Sequence, residues 1–132
     1  MCIFCDIVEG KIPVQKIFEN DLVLVFLDHR PINTGHALVI PKTHYANLEE
    51  VSEEALIAVA LAIKKIGGLL KTKLAVPGYN VCENNDGIAG QEVPHLHFQV
   101  IPRQENDGIS HQWPHREYNP GEAEEIIKKL LT

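Results

Sequence analysis

The stretch Gly90–Arg103, GQEVPHLHFQVIPR, decides the predicted fold. From His95 onward, polar and apolar residues alternate with a period of two, and this pattern predicts an extended strand. Its two faces would carry His95, His97, Gln99 and Ile101 on one side and Leu96, Phe98 and Val100 on the other. Such a strand can pack one face on a core while it presents two imidazoles and an amide on the other.

A polar, glycine-bearing loop, Asn84–Gln91, leads into this strand. The backbone N–H groups of such a loop can hold an anion. A loop that holds phosphate beside a row of histidines suggests chemistry on a phosphoryl group. Two alternatives stay open: a half-exposed edge strand without a catalytic role, and a metal hydrolase that uses His95 and His97. The Asp that usually follows an HxH pair in such hydrolases is replaced here by Gln99.

The histidine strand resembles the signature of the histidine triad (HIT) family, His-x-His-x-His followed by two apolar residues, with Gln99 in the third position. The likeness covers roughly residues 2–103 and is greatest to the Hint branch and its bacterial relatives. The other segments that carry it are Phe4, Ile7, Ile12-Pro13, Phe26–Asp28 and Gly35–His44. The resemblance implies a HIT-like α+β fold, a homodimer and an enzyme that acts on nucleotides.

The bulk composition is that of one globular domain spanning residues 1–132, with 45% hydrophobic and 23% charged residues. The net charge of −6 argues against nucleic acid or an anionic membrane as a partner. We expect no membrane span, because no run approaches about 20 apolar residues, and no signal peptide at the N-terminus. Three cysteines, two of them in a CxxC, favour a reducing, cytoplasmic location.

The patterning predicts an α+β fold with an antiparallel sheet of about five strands, one long helix and a C-terminal helix. The predicted strands are 17–19, 22–27, 36–41, 79–83 and the histidine strand 95–101. A short helical turn is expected at 6–10, the long helix from Ser52 to about Lys73, and the C-terminal helix over about 120–131. The core stripe of the long helix would be Leu56, Val59, Ile63, Ile66 and Leu70.

The CxxC of Cys2 and Cys5 has three possible meanings: a redox motif, half of a zinc site, or two unrelated thiols. A redox CxxC should follow a strand and open a long helix, and no strand precedes Cys2 here. Two thiols are half of a tetrahedral zinc site, and His44 and His95 are candidates for the other half. The resemblance to zinc-binding bacterial HIT proteins implies structural zinc held by Cys2, Cys5, His44 and His95.

The resemblance also implies a catalytic group, with His97 as the nucleophile on the α-phosphate of a nucleotide. A neutral imidazole can attack phosphorus when an acceptor fixes its other ring nitrogen, and the product is a covalent nucleotidyl-histidine. Gln99 would hold a phosphoryl oxygen. The resemblance implies that His36 supports the active histidine, and the alternative is a polar residue at the start of a strand. The acceptor could be water, phosphate or another nucleotide, so both a hydrolase and a nucleotidyl transferase are expected.

The predicted nucleotide-binding residues fall into a base slot, a ribose ligand and a phosphate cradle. The slot is apolar and would accept any purine, and backbone N–H groups would stabilise the phosphate charge. The resemblance implies that the carboxylate of Asp28 binds the ribose hydroxyls, whereas the residues alone fit a capping or turn Asp equally well. The full set is Phe4, Ile7, Phe26, Leu27, Asp28, Asn84, Gly90, Gln91, Glu92, Val93, His97 and Gln99.

Two residues depart from the Hint pattern. Gln99 cannot serve as a general acid, so we expect a poor phosphoramidase that is better on phosphoanhydrides or in nucleotidyl transfer. Gln in this position resembles the galactose-1-phosphate uridylyltransferases and dinucleoside tetraphosphate phosphorylases. Glu92 stands where many Hint relatives have a small hydroxyl residue, and its carboxylate would repel phosphate unless it turns away or meets an amine leaving group. The alternative is a zinc-stabilised nucleotide-binding protein with little turnover.

Overall fold

The computed structural model describes residues 1–110 and 112–132. The predicted α+β architecture is confirmed: a five-stranded antiparallel sheet, a long central helix and a C-terminal helix. The elements in chain order are α1 (Ile3–Val8), β1 (Lys16–Glu19), β2 (Val23–Leu27), β3 (Ala37–Pro41), α2 (Glu53–Lys73), β4 (Gly78–Glu83), β5 (Phe98–Arg103) and α3 (Glu122–Leu131).

The strands are ordered β1-β2-β3-β5-β4, and every neighbouring pair is antiparallel. β2 and β3 are continuous apolar runs, and both are buried almost throughout because the sheet is covered on two faces. α2 covers one face, around Val39, Val59 and Val100. α1 covers the other, around Phe4 and Leu38. Each fully buried aliphatic side chain contributes roughly 1.5–3 kcal/mol to this core.

α2 begins where the sequence predicts, with the Ser52 side chain accepting the N–H of Ala55. Its buried stripe is rotated slightly from the predicted one and consists of Ala55, Val59, Ala62, Ile66, Gly67 and Leu70. Gly67, which weakens a helix in isolation, is required by packing: a Cβ there would lie 2.2 Å from the Tyr79 hydroxyl. The close approach of β4 to α2 therefore depends on this glycine.

The predicted extent of the histidine strand is wrong. β5 begins at Phe98, and the segment His95-Leu96-His97 lies before it in irregular structure. The alternation of faces fails there too, because both His95 and Leu96 are fully buried. The cause is a competing backbone bond: the Leu96 N–H donates to the Tyr45 carbonyl at 2.7 Å instead of to a neighbouring strand.

The other boundaries differ from prediction by a few residues. α1 spans Ile3–Val8 instead of 6–10, because the Cys2 side chain caps it. The third strand starts after His36, whose N–H donates to the Asn33 carbonyl in a turn. α3 has no buried side chain among the residues that the structure describes, and its apolar face is exposed. No helix in the described part of the chain is long and apolar enough to cross a bilayer.

Candidate active site and metal cluster

A cluster of two thiols and two imidazoles lies where α1 meets the segments that follow β3 and precede β5. Cys2 caps α1, and its Sγ accepts the Cys5 N–H at 3.4 Å. His44 comes three residues after the end of β3, and His95 three residues before β5. One ligand atom from each of these four residues lies within 4.8 Å of all the others. The structure thus brings together the four metal ligands predicted from the sequence.

The spacing within this cluster fits a tetrahedral zinc ion. The Sγ–Nδ1 distance is 3.4 Å for Cys2 with His95 and also for Cys5 with His44, and the two Nδ1 atoms are 3.2 Å apart. Zn–S bonds near 2.3 Å and Zn–N bonds near 2.0 Å place tetrahedral ligand atoms roughly 3.3–3.8 Å apart. His95 is oriented like a metal ligand, because its Nε2–H donates to the Pro41 carbonyl at 2.9 Å and leaves Nδ1 free.

The electrostatics of the cluster also favour a cation. Burial, the neighbouring Cys2 thiol and the carboxylates of Glu9 and Asp6 raise the pKa of Cys5 to about 11. Burial lowers the pKa of His95, with His44 and His97 acting in the same direction and the Pro41 carbonyl opposing them. A neutral imidazole is the form that binds metal, and a bound cation would convert the thiols to thiolates.

A cavity of about 980 Å³ opens on the α1 face of the sheet. Of the twelve predicted nucleotide-binding residues, eleven line it, and Gln91 lies outside the lining; His36 lines it as well. Sequence reasoning did not place nine further lining residues at the site, although Ile12-Pro13 was part of the motif evidence. These nine are Ile3, Ile12, Pro13, Val14, Gln15, His29, Arg30, Ile32 and Leu38.

The apolar end of the cavity is built from α1 and β2. Phe4 and Phe26 meet edge to face with ring centroids 5.9 Å apart, and both are buried. The Phe4 ring also meets His97 edge to face at 5.1 Å and His95 at 5.7 Å. Phe4 therefore lies between the metal cluster and the polar end of the cavity. A slot with aromatic walls of this kind suits a flat heterocyclic ring.

His97 is held in one tautomer by the backbone. Its Nδ1 lies 2.8 Å from the carbonyl oxygen of His95, and because a carbonyl only accepts, Nδ1 carries the proton. The neutral ring then has its lone pair on Nε2. A half-buried imidazole of this kind, lining a cavity, can act as a nucleophile or base.

Gln99 is oriented by a chain of hydrogen bonds that starts at a backbone N–H. The Ile32 N–H donates to His36 Nδ1 at 3.0 Å, so the proton of the neutral His36 ring is on Nε2. His36 Nε2 then donates to Gln99 Oε1 at 3.0 Å, and the Gln99 amide N–H₂ is left as a donor for the cavity. Burial lowers the pKa of His36, against the opposing effects of Asp28 and Gln99, and keeps the ring neutral.

The polar rim of the cavity carries the ribose and phosphate candidates. Asp28 is mostly buried, with one carboxylate oxygen accepting the Arg30 N–H at 2.9 Å and the other 3.8 Å from His36 Nε2. Gly90 adopts a φ of +98°, and a Cβ there would lie 3.3 Å from the Asn84 amide nitrogen. Glu92 lines the cavity but is exposed to solvent.

The geometry does not support a metal hydrolase that uses His95 and His97 together. Within residues 1–110 and 112–132, the group of three or more potential metal ligands contains His95 and excludes His97. Their ring nitrogens make different bonds, to the Pro41 carbonyl and to the His95 carbonyl respectively. The two imidazoles therefore belong to two separate sites.

The model of the HIT domain matches residues 9–106 of the chain. The protein belongs to the HIT family. It is 44% identical over 135 residues to an adenosine 5'-monophosphoramidase of Schizosaccharomyces pombe, and the match covers 98% of each chain. It is 37% identical over 106 residues to an adenylylsulfatase of Arabidopsis thaliana, covering 80% of this chain and 54% of that one.

Solved HIT structures confirm the predicted HIT fold. A HIT family protein of Bacillus subtilis superposes with a TM-score of 0.91 at 37% identity, covering 98% of this chain and 94% of that chain. A zinc-bound histidine triad family protein of Mycobacterium smegmatis superposes with a TM-score of 0.77 at 33% identity, covering 97% and 91%. The zinc in that description belongs to the mycobacterial protein.

Proposed function

We propose that this HIT protein is a nucleotide hydrolase or nucleotidyl transferase of the Hint-like branch. It would act on the α-phosphate of purine nucleotide conjugates or dinucleoside polyphosphates through a covalent nucleotidyl-histidine at His97. The observation that carries the proposal is the bond from His97 Nδ1–H to the His95 carbonyl, which leaves the lone pair on Nε2 of a residue lining the cavity. The relatives named as a monophosphoramidase and an adenylylsulfatase support an activity of this class.

The chemistry proceeds in two steps. Nε2 of His97 attacks the α-phosphorus, an N–P bond forms, and the bond to the leaving group breaks with its electron pair going to that group. Water or another acceptor then attacks the same phosphorus and releases its proton to solvent, the N–P bond breaks with its electron pair returning to Nε2, and the neutral imidazole is restored. The backbone N–H groups of Glu92 and Val93 and the amide of Gln99 stabilise the charge on the phosphoryl oxygens.

The rest of the nucleotide is placed by the two ends of the cavity. The purine occupies the apolar slot beside Phe4 and Phe26. The carboxylate of Asp28 accepts the ribose hydroxyls, and it is already held by the Arg30 N–H. Asn84 and Gly90 border the phosphate end. Binding along the whole length of the nucleotide aligns its α-phosphate with Nε2 of His97.

The fixed orientation of Gln99 favours leaving groups that depart as anions. Because the Gln99 oxygen accepts from His36, the amide is oriented with its N–H₂ group available to donate to a phosphoryl or leaving-group oxygen. A sulfate or a nucleotide departs without a proton, whereas an amine must be protonated as the P–N bond breaks. The name of the Arabidopsis relative, an adenylylsulfatase, agrees with this preference. The name of the Schizosaccharomyces pombe relative, a monophosphoramidase, points to the opposite preference.

A substrate panel tests the proposed activity. Adenosine 5'-phosphoramidate, adenosine 5'-phosphosulfate and diadenosine tetraphosphate would be offered to the purified protein, and adenosine products measured with and without added inorganic phosphate. We expect turnover of at least one of them, with the anionic leaving groups ahead. Tight nucleotide binding without turnover of any would favour the second candidate, a zinc-stabilised nucleotide-binding protein, which Gln99 and the exposed carboxylate of Glu92 support.

We also propose that the cluster of Cys2, Cys5, His44 and His95 holds structural zinc, on the strength of its donor set and spacing. Elemental analysis of protein purified without added metal should give about one zinc per chain. A value near zero would contradict it.

The remaining proposals concern assembly and location. A homodimer is supported by apolar side chains exposed on the long helix and on the edge strand, Ile57, Leu61 and Val81. Light scattering after size exclusion tests it, and a monomer at micromolar concentration would contradict it. The three free cysteines support a reducing, cytoplasmic location, which cell fractionation can test.

A further inference from the structure

Gln91 joins the loop that faces the phosphate to the segment that carries His44. Its Oε1 accepts the Asp86 N–H at 2.9 Å, closing the loop Asn84–Gln91 on itself. Its Nε2 donates to the Ala46 carbonyl at 2.6 Å, two residues from His44. Both ends of the amide are therefore in use, and Gln91 itself does not line the cavity formed by the described residues.

Two more bonds connect the segment around His44 to other parts of the site, one to the loop and one to the histidine segment. The Leu48 N–H donates to Asn85 Oδ1 at 2.8 Å. The Leu96 N–H donates to the Tyr45 carbonyl at 2.7 Å. The segment 44–48, which we call the His44 connector, thus holds the phosphate-facing loop at Asn85 and at Gln91, and holds the histidine segment at Leu96.

The connector and the histidine segment each contribute one imidazole to the metal cluster. Neither segment belongs to a helix or strand. The connector lies between the end of β3 at Pro41 and the start of α2 at Glu53, and the histidine segment lies just before β5, which starts at Phe98. Segments without a sheet or helix ladder keep their positions through side-chain bonds and, where one is bound, a metal ion. An ion that fixes His44 and His95 therefore also fixes the Ala46 and Tyr45 carbonyls and the His95 carbonyl that orients His97.

We infer that Gln91 is a positioning residue that couples the Cys/His cluster to phosphate binding. Zinc at the cluster holds the His44 connector, the connector holds Gln91, and Gln91 sets the loop Asn84–Gln91, whose Asn84 and Gly90 border the phosphate end of the cavity. The inference rests on the proposed nucleotide site, and it adds to that proposal a direct energetic link between the two sites.

Coupling of this kind is reciprocal: if zinc raises the affinity for AMP, AMP must raise the affinity for zinc by the same factor. The factor is measurable by competition for zinc, without an activity assay. A chromophoric chelator would compete for zinc in the absence of ligand, with AMP, and with adenosine, the latter two at equal fractional saturation. Equal saturation matters because any ligand of the folded state stabilises it by the same amount at the same ratio of concentration to Kd.

We expect AMP to raise the zinc affinity of the wild type at least about 5-fold more than adenosine does, since that is the lower end of ordinary coupling. Gln91→Ala removes both amide bonds and should reduce the difference, with the Leu48–Asn85 bond left as the remaining direct bond between connector and loop. Gln91→Glu keeps an acceptor for the Asp86 N–H but loses the donor to Ala46, so it should reduce the difference as well. The matched control is Gln104→Ala, at an exposed residue whose side chain has no hydrogen bond within the described part of the chain; it should keep the wild-type difference.

Hydrogen exchange gives a second measurement that does not depend on either variant being stable. In the wild type, loading with zinc should slow amide exchange in residues 85–91 as well as at the cluster. Equal effects of AMP and adenosine on zinc affinity, or a full difference retained in Gln91→Glu, would overturn the inference while leaving the nucleotide site intact. Failure of AMP to bind at all would overturn the proposed function together with it.

Discussion

The Cys/His cluster and the cavity each contain one of two histidines, His95 and His97, that are two residues apart in the chain and present different ring nitrogens. His95 is fully buried, has its proton on Nε2 facing the Pro41 carbonyl, and turns Nδ1 towards two thiols. His97 is half-buried, has its proton on Nδ1 facing the His95 carbonyl, and keeps the lone pair on Nε2. In each case a backbone carbonyl selects the tautomer.

One short segment can thus serve two kinds of chemistry, because its two imidazoles are oriented differently. A closed group of two thiol and two imidazole ligands can fill all four positions of a tetrahedral metal ion and leaves none open for a substrate. A single oriented imidazole at a cavity wall can attack a substrate because nothing else occupies its lone pair. The two sites meet through the His95 carbonyl, which belongs to a proposed zinc ligand and orients the proposed nucleophile, His97.

Replacing His97 should produce the largest effect and leave the metal cluster untouched. We expect His97→Asn to lower kcat on the best nucleotide conjugate by roughly 10⁴-fold or more, because the nucleophile is removed. AMP affinity should stay within a few-fold, since Asp28 and the apolar slot remain. Steady-state kinetics, calorimetry with AMP and zinc content would be measured together.

The control for this variant is His115→Asn, which changes an exposed histidine in the C-terminal region and should leave kcat unchanged. Turnover by His97→Asn at the wild-type rate would rule out nucleophilic catalysis by this residue. Loss of zinc from His97→Asn would show that the two sites are not separate as described.

The next largest effect concerns the amide that replaces the third histidine. Gln99→His should raise turnover of adenosine phosphoramidate relative to adenosine phosphosulfate by roughly 10²-fold, because it supplies a titratable donor for an amine leaving group. The measurement is the ratio of kcat/KM for the two substrates in wild type and variant. A wild type that already prefers the phosphoramidate would contradict the assigned role of Gln99, and the proton donor would then be sought at Glu92 by Glu92→Gln.

Removing one ligand of the Cys/His cluster should lower the stability of the fold more than the catalytic rate. Cys5→Ser removes one sulfur ligand, and we expect zinc to be lost. The free energy of unfolding should fall by about 3 kcal/mol, in the range for loss of a structural metal. For a domain of this size that lowers Tm by roughly 10 °C. Cys82→Ser, at a half-buried thiol outside the cluster, should retain zinc and change Tm far less. Unchanged zinc content in Cys5→Ser would remove this thiol from the ligand set.

The smallest effect is on the pH dependence of stability. Burial lowers the pKa of His36 below its ordinary value of 6.5, so the folded state holds the ring neutral while the unfolded chain binds a proton. The stability contributed by His36 is therefore fully present above the unfolded pKa and is lost as pH falls below it. The free energy of unfolding should fall more steeply between about pH 7.5 and 5.5 in the wild type than in His36→Gln. Equal slopes would contradict a buried neutral His36.

The sequence predicts the sheet and the long helix well because local patterns determine them. The apolar runs of β2 and β3 and the Ser52 cap of α2 need no tertiary information to be recognised. The predicted start of the histidine strand at His95 is wrong because the Leu96 N–H bonds to Tyr45, which lies 51 residues earlier. A period of two cannot show which distant carbonyl takes a backbone donor.

The composition of the candidate site was likewise predictable, whereas its hydrogen bonds were not. Motif positions identified the four cluster residues and twelve residues of the cavity lining, His36 among them. They could not show that His36 fixes the direction of the Gln99 amide, or that both ends of the Gln91 amide bind the backbone. In both residues the question is where the oxygen and the nitrogen of one amide point, and only the three-dimensional neighbours decide it.

The most direct test of the central claim, nucleophilic catalysis by His97, is to trap the covalent intermediate. The protein would be mixed with its best substrate, quenched with denaturant at alkaline pH to protect the acid-labile N–P bond, digested and mapped by mass spectrometry. We expect a nucleotidyl group on the peptide containing His97, absent from His97→Asn, and appearing no more slowly than turnover. Rapid turnover with no adduct on that peptide, or an adduct on another residue that forms as fast as turnover, would contradict it.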